Sequence, residues 1–188
     1  MNEKTNESLF IKQKNIRPKI GDVITYALEG SELNNAQDFI LYLCENKLTP
    51  RWASVNSWKV SFENKGVCYI RLPGVAHYNI KAGAWHLAIF TQYDNHLNDL
   101  VKGEPEKIKG LVKNHIDNNL PCGGCMPGLN RRSVNKEFVN ICACTCINME
   151  SPDDVICGFA KKLIALRCDA IINARVPKCN YLKPVDRT

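Results

Sequence analysis

The stretch at 57–72, SWKVSFENKGVCYIRL, constrains the fold more than any other part of the chain. Trp58, Val60 and Phe62 alternate with Lys59, Ser61 and Glu63. Successive side chains of a strand project to opposite faces, so this alternation marks a strand half-buried on a sheet. NKG at 64–66 is a turn signal, with Gly66 able to take a positive φ, and VCYIRL returns as the partner strand. Strands joined by so tight a turn pair antiparallel. A β-hairpin over 57–72 is therefore the seed of an antiparallel sheet, and the helices of the chain must cover its apolar side.

The other segments are read in the same way. Ala36, Phe39, Ile40, Leu43 and Cys44 recur at helical spacing and predict a helix over about 35–46. Pro50 forces an extended segment, while GDVITYALEG at 21–30 fits a strand or a short helix equally. AWHLAIF at 84–90 predicts a third strand, and YDNHLNDL one or two helical turns. Pro105 sits where a helix begins, and the stripe Ile108, Leu111, Val112, His115 and Ile116 carries it over about 105–118. EFVNICACTCINM predicts a strand at about 138–149. SPDD then opens the last helix, with Ser151 as N-cap, Pro152 at its first position and Asp154 near the positive end of the dipole. Val155, Ile156, Phe159, Leu163, Leu166 and Ile171 continue it to about 173. Strands and helices do not alternate one for one. The expected fold is α+β: an antiparallel sheet of about four to five strands, helices packed on one face, and a long C-terminal helix. Residues 1–20 are expected as an arm, 21–175 as a single domain and 176–188 as a tail.

A chain of 188 residues suits one domain with a real core. Its net charge of +6 collects at the ends. Residues 1–19 carry five Lys/Arg against two Glu, and residues 159–188 carry seven against two Asp. Such ends solubilise, and no basic–aromatic interleaving of the strand-binding type occurs in sequence, so nucleic acid is not an expected partner. No apolar run approaches the roughly 20 residues of a membrane span. MNEKTNESLF lacks the apolar segment of a secretory signal, and the expected location is the cytoplasm. In a reducing compartment the ten cysteines suggest metal ligands, reactive thiols or buried apolar groups rather than disulfides.

Five of those cysteines lie between 122 and 146, in CGGC and NICACTCINM. A Cys-x-x-Cys turn brings both sulfurs to one point, and Gly123 and Gly124 ease the bend. Tetrahedral zinc at about 2.3 Å per Zn–S bond places its sulfurs roughly 3.8 Å apart, which the turn allows. Between Cys125 and Cys142 or Cys144 lie 16 or 18 residues, within the range of two-knuckle zinc sites. Alternate strand cysteines have Cβ atoms about 6.6 Å apart, so two of them ligate one ion only if the strand bulges or ends there. The expected ligands are Cys122, Cys125, Cys142 and Cys144, with Cys146 or His115 as alternatives for completing the set. Four thiolates suit a closed structural zinc site. Two other readings stand beside it. The strand cysteines could be small buried apolar groups. Alternatively, Cys122 and Cys125 could be a redox pair, although the pair follows a helix instead of opening one. Cys44, Cys68, Cys157 and Cys168 fall on apolar faces, and Cys179 lies in the tail.

Trp52, Trp58, Trp85, Tyr69 and Tyr78 could wall an apolar ligand pocket, or simply pack the core and sheet. His77 and His86 could do acid–base work with a carboxylate, but no spacing forces them together. The chain has no phosphate-binding glycine loop, nucleophile elbow or HExxH. No reaction is indicated. The expected function is that of a small binding or interaction module with a structural zinc ion. The alternatives are a thiol redox protein and a metal-free binder of small molecules.

The segments SWKVSF, GVCYIRL and GAWHLAIF, followed by CGGCMPG, KEFVNIC and NMESPDDVICGFAKKLIALR, resemble a group of bacterial proteins loosely similar to YdhG-like α+β domains. The resemblance spans about residues 36–172 and implies the α+β fold. It implies no reaction, and the thiol-rich segment is not a feature of those domains.

Overall fold

The computed structural model describes residues 12–75, 78–90, 95–118 and 146–174. Residues 12–16 are helical (α1), followed by α2 (Gly21–Ala27) and α3 (Gly30–Glu45). Strands β1 (Arg51–Ser54), β2 (Ser57–Phe62), β3 (Lys65–Arg71) and β4 (His86–Phe90) come next. Helices α4 (Asn95–Lys102) and α5 (Glu106–Asn118), strand β5 (Cys146–Glu150) and helix α6 (Asp154–Asn173) complete the order. The five strands lie in the order β1-β2-β3-β4-β5, and every neighbouring pair is antiparallel. The fold is the expected α+β class.

Register sets the core. Trp58, Ile70, Leu87 and Met149 stand opposite one another across four strands, and Val60, Cys68, Ile89 and Ile147 form the next row. All eight are buried. Helix α6 packs over β3 and β4 and against α3, while α5 lies on β5. Phe39 of α3 and Phe159, Leu163 and Ile164 of α6 fill the space between sheet and helices. Each such side chain contributes about 1.5–3 kcal/mol by leaving water.

Several local expectations shift. GDVITYA is a helix, with Ile24 buried. The segment after Pro50 becomes an edge strand. Helix α3 starts earlier than its apolar stripe shows, because Gly30–Asn35 lies ahead of the first buried position, Ala36. In the hairpin, Phe62 pairs with Lys65, so the loop is Glu63–Asn64, with φ of 50° and 63°. A two-residue loop that follows the strand twist in this way needs positive φ at both positions. Gly66 instead lies inside β3, where an added Cβ would come 2.9 Å from the Phe90 ring. Its role is close approach, not turning. The N-cap of α6 is Asp153 rather than Ser151: its Oδ1 accepts from the Ile156 N–H at 3.0 Å. The Ser151 N–H donates to the Trp85 carbonyl at 2.8 Å, which ties that residue to the sheet.

Within the expected arm, Gln13 is buried and anchored. Its Nε2 donates to Asn56 Oδ1 at 2.7 Å, and its Oε1 accepts from the Asn56 N–H and from Trp52 Nε1. Trp58 Nε1 donates to the Pro18 carbonyl at 2.9 Å. Residues 12–20 therefore strap the β1–β2 end of the sheet.

Candidate functional site

Cys122, Cys125, Cys142 and Cys144 lie outside the described residues. Cys146 opens β5, opposite Phe90. Burial raises its thiol pKa, against the opposing pull of Arg71 and Arg167. Cys68 is fully buried and its thiol is pushed far up, mainly by desolvation. Cys157 is pushed up to about 12 by burial, and Cys168 is raised by the same cause. Burial thus keeps Cys68 and Cys157 as protonated thiols, poor nucleophiles at neutral pH. Cys44 is exposed, not core, because only Ala36, Phe39 and Leu43 of the α3 stripe are buried. His115 is buried on α5, and desolvation lowers its pKa. Among the described residues no group of three or more His, Cys, Asp or Glu is placed to hold a metal ion.

The aromatic residues do not wall one pocket. Strand alternation divides them. Trp58 and Trp85 are fully buried on the helix side, where Phe39 stands 5.9 Å from Trp85. Tyr69 belongs to the second face, and the loop between β3 and β4 turns Tyr78 back over that face.

There, Arg71 and His86 stand directly opposite on β3 and β4. The Arg71 guanidinium is sandwiched, 4.0 Å from the Tyr78 ring centroid and 4.9 Å from that of Tyr69. Its Nη1 donates to His86 Nδ1 at 3.3 Å. A guanidinium has no lone pair to offer, so His86 must accept and is neutral, with its proton on Nε2. Burial, and then the Arg71 charge, lowers the His86 pKa to about 4. Tyr78 stacks on the same ring at 5.6 Å, and Phe90 packs on Tyr69 at 5.7 Å. Glu150 faces His86 from β5. The result is a fixed cationic–aromatic cluster whose histidine has its basic nitrogen occupied. Arg71 and His86 are both buried, so the cluster holds its positive charge beneath the aromatic rings. It does not present a free base.

His86 was legible as a residue of interest, but Arg71 was not, because nothing in the sequence places the two opposite each other. His77, its expected companion, lies outside the described residues. Comparisons with known protein families, with curated proteins and with solved structures find no match for this chain. No described helix is long and apolar enough to cross a membrane.

Proposed function

We propose that the chain is a small cytoplasmic binding or interaction module stabilised by a structural zinc ion, with Cys122, Cys125, Cys142 and Cys144 as ligands. The observation that carries the reading is the concentration of five cysteines between 122 and 146, paired as CGGC and followed at two-knuckle spacing by alternate thiols. Four soft thiolates would supply a closed tetrahedral shell, whose role is to hold chain segments together rather than to activate a substrate. The cytoplasmic assignment is supported by the free state of Cys44, Cys68, Cys146, Cys157 and Cys168. A binding role is favoured over a catalytic one by the buried Arg71–His86 pair, which leaves His86 no free basic nitrogen.

Elemental analysis of the purified chain, with thiol titration before and after a chelator, tests this reading. The expected result is one zinc per chain and four thiols protected until chelation. Cys122→Ser then lowers the melting temperature clearly, because metal-binding free energy is also folding free energy. Metal-free protein with an unchanged melting temperature in that variant overturns the proposal. A metal-free chain whose Cys122 reacts fast at neutral pH assigns it instead to thiol redox chemistry.

A further inference from the structure

At the other edge of the sheet, a groove of about 560 Å³ lies between β1, the end of α3 and the β2–β3 turn. This is the size range of small-molecule sites, roughly 300–1,000 Å³. Lys47, Arg51 and Lys59 line it with Glu63 as the one acid among the described lining residues, which together carry a net positive charge. Arg51 and Lys59 stand directly opposite each other in the β1–β2 register. Like charges at directly facing strand positions repel and destabilise the pair, and an anion between them removes that cost. Lys47 brings a third cation from just past α3, and its backbone holds φ at 61°, a conformation that side chains other than glycine adopt at a cost. Thr49, Ser61 and Asn64 add hydroxyl and amide groups. Trp52 stands opposite Trp58, so its indole lies on the helix side of the sheet, where Nε1 donates to Gln13 Oε1 at 3.3 Å. Three cations with hydroxyl and amide groups beside them suit a ligand that carries a phosphate.

We infer that this groove binds a phosphate-bearing anion of nucleotide size, with Arg51, Lys59 and Lys47 on the phosphate. The site is independent of the thiol reading. It uses no cysteine, and β1 and β5 are opposite edges of the sheet, four strand spacings or about 19 Å apart. The phosphate has two possible sources, a free nucleotide or a single nucleic-acid strand.

Calorimetric titration of the full chain with ADP and with a short oligodeoxythymidylate, at low salt, tests the inference. Binding of at least one probe is expected. The double variant Arg51→Gln, Lys59→Gln should weaken it at least about tenfold. It should also keep the circular dichroism of the parent and melt no lower, since a repulsive pair has been removed. Tighter binding of the oligonucleotide than of ADP assigns the phosphate to a strand, and the reverse order assigns it to a free nucleotide. If neither probe binds, or if the double variant binds both as well as the parent, the inference is overturned.

Discussion

His86 shows how one side chain couples the sheet to solution conditions. In the unfolded chain it titrates near 6.5; in the fold its pKa lies at about 4. As pH falls below 6.5 the unfolded state takes up a proton that the folded state refuses, so stability is lost between about 6.5 and about 4 and is fully present above that window. At about 1.4 kcal/mol per pH unit, the loss amounts to about 3 kcal/mol. Urea unfolding of the parent and of His86→Asn, above pH 6.5 and near pH 4, measures it. The acid-induced loss should shrink by that amount in the variant. An identical loss in both chains would show that the carboxylates alone account for it. The sequence marks His86 and Tyr78 as polar and aromatic groups near a loop. It cannot mark Arg71 as their partner, because 15 residues separate it from His86 and register alone makes them neighbours.

At the scale of the element, helices and strands were legible wherever a period ran for two turns or five residues. The hairpin, α5 and α6 lie where their stripes put them. Ends were harder, because a cap is a contest between nearby residues for the same few N–H groups. Asp153 wins at α6. Its carboxyl is held below the usual range, first by a hydrogen bond from Lys107 Nζ and then by the Ile156 N–H. Asp153→Ala should cost about 1 kcal/mol in chemical denaturation. Ser151→Gly should cost nothing, since φ there is 46°, which glycine adopts freely. A larger loss at Ser151 than at Asp153 would restore the cap to the serine. In the hairpin, the glycine that signals the turn is spent on accommodating Phe90. The turn itself falls on Glu63–Asn64, and Gly66 sits against a ring from the adjacent strand β4.

For the molecule as a whole, residues 12–20, ahead of the expected domain start at Gly21, hold contacts to the sheet. A chain beginning at Gly21 loses the Gln13 hydrogen bonds to Asn56 and Trp52, the Pro18 acceptor for the Trp58 indole, and the buried side chain of Ile20. The expected loss is about 4 kcal/mol, read as a lowered melting temperature against the full chain; an unchanged melting temperature would show the strap to be dispensable. The α+β class, the antiparallel pairing and the apolar stripe of α6 needed only short-range information. Alternation and helical spacing are written within a few residues and need no partner to be read. Arg51 opposite Lys59, Arg71 opposite His86 and Gln13 under Asn56 exist only once buried rows such as Trp58–Ile70–Leu87–Met149 have locked the strands in register. A slip of one residue would send each strand's side chains to the opposite face, so these juxtapositions belong to core packing and not to any local stretch of chain.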